Sequence, residues 1–226
     1  MILYHGSTVI VKKPSLEKGK TNNDYGQGFY CTEDEELGKE WACRENTNGC
    51  LNKYEFDMSD LKVLNLSEKH PLNWIAILLK HRTFNINNGL ASNAREYIIK
   101  NFYINVEDYD VVIGYRADDS YFAYANAFVS NNLSLESMVD AMRFGNLGYQ
   151  IALVSNKAFE KLHFIDVIPV DSSIYFAKYD NRDKNARRDY KNSLNDHLFD
   201  LLDTFVLDII RERMTLNDER LQRIVF

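Results

Sequence analysis

The sequence has few cysteines and no long apolar run, and each lack removes a class of protein. Cys31, Cys43 and Cys50 are odd in number and show no CxxC spacing, which argues against a disulfide framework or a structural zinc site. Reduced thiols in a cytosol are expected. No stretch approaches the ~20 apolar residues that span a bilayer, and the opening MILYHGSTV lacks the basic region and apolar core of a secretion signal. The expectation is a soluble, cytoplasmic protein with no membrane partner. His70, His81, His163 and His197 show no ligand-like spacing such as HExxH, so they read as packed or surface histidines. Neither an internal repeat nor a low-complexity tract is present. The net charge of -6 disfavours non-specific nucleic-acid binding over the whole surface and leaves room for a local basic patch.

What is present suffices for a core. A chain of 226 residues with 45% hydrophobic content can build one large domain, or one domain with a helical appendage. Met1 to Tyr4 reads as a short strand, and the polar stretch from Lys12 to Asp24 as a loop. Thr32 and Glu35 form a capping box for a helix running through Trp41 to about Glu45. LNKYEFDM and LKVLNL alternate like half-buried strands. Pro71 suits the first turn of one helix, and Ala91 to Phe102 forms a second. YDVVIGY is a buried strand, followed by a helix in ADDSYFAYANAF with an Asp cap and by another from Ser134 to Phe144. YQIALVS and HFIDVIPV are strands around a short helix, Asn156 to Leu162. Helices and strands interleave without a regular βαβ repeat. Lys178 to Lys191 is rich in basic residues and reads as a polar junction, a solvated surface or a patch that steers an acidic target. After it, Asp196 to Arg213 has the apolar spacing of an amphipathic helix, packed on the body or on a partner.

Two stretches carry chemistry. In His5-Gly6-Ser7 a glycine on a strand lets a ligand approach the backbone, whose N–H and C=O can grip a planar carboxamide while His and Ser each add a polar group. The same three residues also suit an ordinary strand end. In Gly26-x-Gly28-Phe29-Tyr30 two glycines permit an unusual backbone before an aromatic pair, one of which could lie flat on a bound ring; a turn with core packing fits as well.

Taken together and in this order, a strand with HGS, then GxGFY, then a T-x-x-E helix, the segments resemble the His-Tyr-Glu branch of the ADP-ribosyltransferase superfamily. The resemblance is closer still to an uncharacterised bacterial family with LYHGS, D-[FY]-G-x-G-F-Y, A-D-D-x-Y-F and a strand beginning with Gln, here ILYHGS, DYGQGFY, ADDSYF and YQIALVS. It spans roughly residues 2 to 168.

This resemblance implies an α+β fold, a split mixed β-sheet core with helical insertions over residues 1–170 and a helical C-terminal extension over 171–226. It implies NAD as co-substrate and no metal. His5 would bond a ribose hydroxyl, Gly6 would hold the nicotinamide carboxamide with Ser7 assisting, Tyr30 would stack on the nicotinamide ring, and Gly28 and Phe29 would shape the same cradle. At the third signature position the superfamily has Glu and this chain has Gln150. A neutral amide orients a hydroxyl but gives less help to developing positive charge. Mono-ADP-ribosyl transfer, recruitment of another acid, or NAD binding without turnover all follow from that departure. Asp118 and Asp119, after a buried strand, are candidate acids or helix caps, and Arg116 is a candidate phosphate or carboxylate partner. The implied activity is mono-ADP-ribosylation of a protein or nucleic-acid acceptor, with nucleic acid as substrate only. Relatives of this kind are often toxins of toxin-antitoxin or phage-defence systems, which implies a small antitoxin partner. A sensor or regulatory module and an NAD glycohydrolase are the alternatives.

Overall fold

The computed structural model describes all residues except 85, 87, 118, 145–147 and 197–202, and for 119, 144, 189 and 193–196 it describes the backbone alone. In chain order the elements are β1 (Ile2–Ser7), β2 (Phe29–Cys31), α1 (Glu35–Ala42), β3 (Gly49–Phe56), β4 (Val63–Asn65), α2 (Pro71–His81), α3 (Gly89–Phe102), β5 (Val111–Tyr115), α4 (Asp119–Val129), α5 (Leu135–Phe144), β6 (Tyr149–Leu153), α6 (Asn156–Glu160), β7 (Leu162–Val170), α7 (Ser172–Asp196), α8 (Val206–Arg211) and α9 (Glu219–Gln222). The architecture is mixed α and β with two open sheets. The chain forms two compact units, one of residues 1–65, 105–116 and 147–182, the other of 66–104, 117–146 and 183–226.

The first unit holds both sheets. One has the order β1-β3-β7, antiparallel throughout; the other is β2-β6-β5-β4, in which only β4 and β5 run parallel. A single bridge, Tyr4 with Thr32, links β1 to the residue just after β2. Alternation along the strands divides their side chains. Leu3, Phe29, Cys31, Tyr54, Phe56, Ile151 and Leu153 gather in one buried cluster, whereas Tyr4, Leu51 and Val170 turn the other way and pack with Ala42 and Cys43 at the end of α1.

Helix α1 lies very close to its sheet. A Cβ on Gly6 would stand 2.3 Å from the Gly38 carbonyl oxygen and 2.5 Å from the Ala42 nitrogen, and one on Gly49 would stand 2.0 Å from the Ala42 oxygen. Only glycine fits at these places. The helix begins later than the Thr32–Glu35 capping box predicts: Asp34 is the cap and accepts from the Leu37 N–H at 3.0 Å. Thr32 is already committed, its backbone to Tyr4 and its hydroxyl to the Asp34 N–H.

The second unit is helical around α2, in which every residue from Pro71 to Leu79 is buried. His70 caps that helix, its Nδ1 accepting from the Leu72 N–H while its Nε2 donates to the Leu221 carbonyl. Asn73 donates to the last carbonyl of α3, Phe102, at 2.7 Å. Asn88 and Ser134 cap α3 and α5.

Two expectations for the last third of the chain are corrected. The stretch Lys178 to Lys191, expected as a polar junction, lies inside α7. It contains neither Gly nor Pro, and Arg187 pairs with Asp183 one turn away at 2.8 Å. The continuous helix expected from Asp196 to Arg213 is not formed. Residues 203–205 are non-helical and Phe205, with an extended backbone, starts the short α8, its N–H bonded to Asp208; residues 197–202 lie outside the described part. No helix among the described residues is long and apolar enough to cross a membrane.

Candidate functional site

Strand β2 is where the motifs meet. Tyr30 pairs with Ala152 and Cys31 with Ile151 on β6, so the register runs out one step before Gln150, beside Thr32. On its other edge Thr32 exchanges both backbone bonds with Tyr4, the residue before His5. HGS, GxGFY and the Gln-strand are therefore contiguous through three residues of β2 and its continuation.

His5 is tied directly to this strand. Its Nδ1 lies 2.7 Å from the Tyr30 carbonyl oxygen, and its ring stacks on Phe29 with centroids 4.2 Å apart. A carbonyl only accepts, so Nδ1 carries the proton and Nε2 is the acceptor left for a ligand. Burial pushes the His5 pKa down, opposed by the bond to Tyr30, and keeps the ring neutral at neutral pH. Phe29 in turn packs edge-on against Tyr54, which fixes the platform under His5.

Gly6 has two functions open to it. Its missing side chain admits α1, as described above. Its backbone is placed by the ladder: Met1 exchanges both bonds with Phe56, so Leu3, His5 and Ser7 also face β3, while Tyr4 and Gly6 face the opposite edge. Tyr4 meets Thr32 there. The Gly6 N–H and C=O thus point along the same edge, one a donor and the other an acceptor. Ser7 accepts from the Val9 N–H at 3.2 Å in a local turn.

Tyr30 is braced at its far end. Its hydroxyl donates to the Gly26 carbonyl at 2.7 Å and accepts from the Tyr25 N–H at 3.0 Å, closing the turn in which Gly26 adopts a φ of 80°. The rings of Tyr25 and Tyr30 stack at 6.3 Å. Gly28 is required by close approach, since a Cβ there would meet the Leu153 oxygen at 2.8 Å. Tyr25 itself is fully buried, and its hydroxyl donates to the Tyr115 carbonyl at 2.6 Å.

Gln150 lies on the face of its sheet opposite Ile151 and is 3% exposed, so its amide must find partners. Nε2 donates to Asp24 Oδ2 at 2.8 Å and to the Tyr115 carbonyl at 3.4 Å. Both partners are acceptors, which fixes the amide orientation and leaves Oε1 as the end that can accept from a ligand. Arg116, one residue past β5, sits with its guanidinium 4.6 Å from the centre of the Trp41 ring on α1.

Two residues that motif reading passes over prove central. Asp24 is one, visible in retrospect as the residue opening DYGQGFY. Asn52 is the other, fully buried opposite His5: it accepts from the Val11 N–H at 2.8 Å and donates to the His5 and Val9 carbonyls at 3.2 and 3.3 Å. Its signal was a short polar side chain in the apolar phase of LNKYEF. Asp118 lies outside the described residues, and Asp119 is the first residue of α4, its side chain likewise outside them. Cys31 is buried beside Tyr30, and burial pushes its thiol pKa up, away from a reactive thiolate.

No curated protein and no solved structure matches this chain. A family model does, over residues 1–164, a span that contains HGS, GxGFY, ADDSYF and the Gln-strand with every candidate site residue from His5 to Gln150. The chain therefore belongs to the family described as "Protein of unknown function (DUF3990)".

Proposed function

We propose that this chain is an NAD-dependent mono-ADP-ribosyltransferase acting on a macromolecular acceptor, protein or nucleic acid. The observation that carries the reading is the join of His5 to Tyr30: one hydrogen bond sets the imidazole tautomer and locks the two signature residues together. The pair of open sheets meeting at Tyr4 and Thr32 is compatible with the split mixed sheet of that superfamily, and we read the fold so.

The residues suit the substrate as follows. The Gly6 N–H and C=O take the nicotinamide carboxamide in a two-point contact, and His5 Nε2 accepts from a ribose hydroxyl. The braced Tyr30 ring supplies a stacking surface whose orientation is already fixed, and Arg116 meets a phosphate. The substrate supplies an activated glycosidic bond. It breaks with its electron pair going to the pyridinium nitrogen, neutral nicotinamide leaves, and the anomeric carbon bonds a lone pair of the acceptor, which loses a proton to solvent. Gln150 Oε1 accepts from a ribose hydroxyl near the carbon where positive charge grows. A toxin with a small protein antitoxin is the biological setting that the resemblance suggests.

A second reading has a specific observation in its favour: a neutral amide stands where the superfamily has Glu, as a sensor that binds NAD without cleaving it would have. Hydrolysis, with water as acceptor, is a variant of the first. Incubation with NAD labelled on its adenylate half, with and without cell lysate, separates these. Nicotinamide release with label on a protein or nucleic acid supports the transferase, release without retained label supports the glycohydrolase, and binding without release supports the sensor. If His5→Ala binds NAD as tightly as the parent does, the proposed cradle is wrong.

A further inference from the structure

The acid that the third signature position lacks is present one residue deeper. Gln150 and Asp24 are 3% and 5% exposed, so water does little to screen a charge between them, and Nε2 donates to the Asp24 carboxylate at 2.8 Å. This contact is held from several directions. Tyr25, next to Asp24, is fixed by its hydroxyl on the Tyr115 carbonyl and by its N–H on the Tyr30 hydroxyl. The Tyr30 hydroxyl also closes on Gly26, and the Tyr115 carbonyl receives Gln150 as well as Tyr25. Asp24 is thus pinned against Gln150 by the same bonds that orient Tyr30.

A carboxylate at the N–H end of an amide polarises it, drawing negative charge toward the carbonyl oxygen. We infer that Asp24 and Gln150 act as a pair in which Asp24, a positioning residue, aims the Gln150 Oε1 at the substrate ribose and raises the negative charge it presents there. The inference rests on the transferase reading. It gives Gln150 part of the electrostatic role of a glutamate while keeping a neutral group against the ligand.

The test measures nicotinamide release, NAD affinity and thermal stability for the parent, Asp24→Asn and the double variant Asp24→Asn with Gln150→Glu. Asparagine keeps the shape and an oxygen acceptor for Nε2 while it removes the charge and turns the other carboxylate oxygen into a donor. Expected is a fall in kcat on the order of 10- to 100-fold with KM and Tm nearly unchanged, the size that partners of a reacting group carry. The double variant, with the charge moved onto residue 150, regains most of the loss, which a merely structural role for Asp24 does not predict. If the parent releases nicotinamide and Asp24→Asn does so at the same kcat, or if the double variant is no better than Asp24→Asn, the pairing is overturned and the transferase reading stands. If the parent binds NAD and releases no nicotinamide under any condition, the transferase reading fails and takes the charge pair with it.

Discussion

The imidazole of His5 donates from Nδ1 to the backbone of Tyr30, 2.7 Å away, while its face rests on Phe29. A side chain held in this way has a chemical state set by the fold, and that state depends on pH. Burial lowers the pKa of both His5 and His70 from the usual 6.5. The unfolded chain takes up protons near that value while the folded chain still holds both rings neutral. Their contribution to stability is therefore complete above the unfolded value and is lost as pH falls through the window below it. Thermal unfolding measured from about pH 7.5 down to about pH 5 should show Tm falling with pH, and a His5→Gln, His70→Asn variant should show a shallower fall. Equal slopes would mean that neither ring is held neutral by the fold.

Gly6 and Gly89 make a contrasting pair. A methyl group on Gly6 collides with the backbone of α1, whereas one on Gly89, at the start of α3, meets nothing within 4 Å. Gly6→Ala should cost about 3 kcal/mol, the upper part of the range for overpacking, while Gly89→Ala should gain up to about 1 kcal/mol from helix propensity and a less flexible unfolded chain. Urea denaturation gives both signs. A neutral Gly6→Ala would show that α1 can retreat from the sheet.

The Tyr30 hydroxyl should matter more locally than globally. Tyr30→Phe removes the donor to Gly26 and leaves the N–H of the buried Tyr25 without its acceptor, a loss of about 1–3 kcal/mol. Hydrogen exchange at the Tyr25 amide should accelerate while amides in β3 stay protected. Exchange unchanged at Tyr25 would remove the brace from the description of the site.

Asn52 should behave as the anchor of the loop after HGS. Asn52→Ala strands the Val11 N–H and the Val9 carbonyl and should lower stability by about 2–3 kcal/mol, and the near-isosteric Asn52→Leu should not recover it. The check is the urea midpoint at constant m-value, together with faster proteolysis around Val9 and Ile10, which are already exposed. Full recovery with Leu would make Asn52 a space filler.

The parts of this fold that the sequence made legible are those where one local rule decides. Pro71 marks the start of α2 and Ser134 the start of α5, and the alternation in LNKYEF marks a strand. The parts that it hid depend on distant partners. Glycine in HGS looked like ligand access, and its second cause, the backbone of α1 at Gly38 and Ala42, is visible only once the helix is docked. Asp24 read as the end of a polar loop because its partner, Gln150, comes from another strand. The charged stretch after Lys178 read as a junction, and its helical pairing of Asp183 with Arg187 was outweighed by its polarity. Of the proposed site, the residue types were in the motifs; the bonds among them, His5 to Tyr30, Tyr30 to Gly26 and Asp24 to Gln150, were not.

The pairing of β2 with β6 has a consequence for synthesis. Tyr30 has no strand partner until Ala152 follows, and β3 likewise waits for β7. Contacts this far apart in sequence close late. A nascent chain therefore carries HGS and GxGFY for a long stretch of its synthesis without the strand that brings Gln150 beside them, and the three motifs come together only once β6 has emerged. Strand order thus makes the joining of the three motifs a late event in folding.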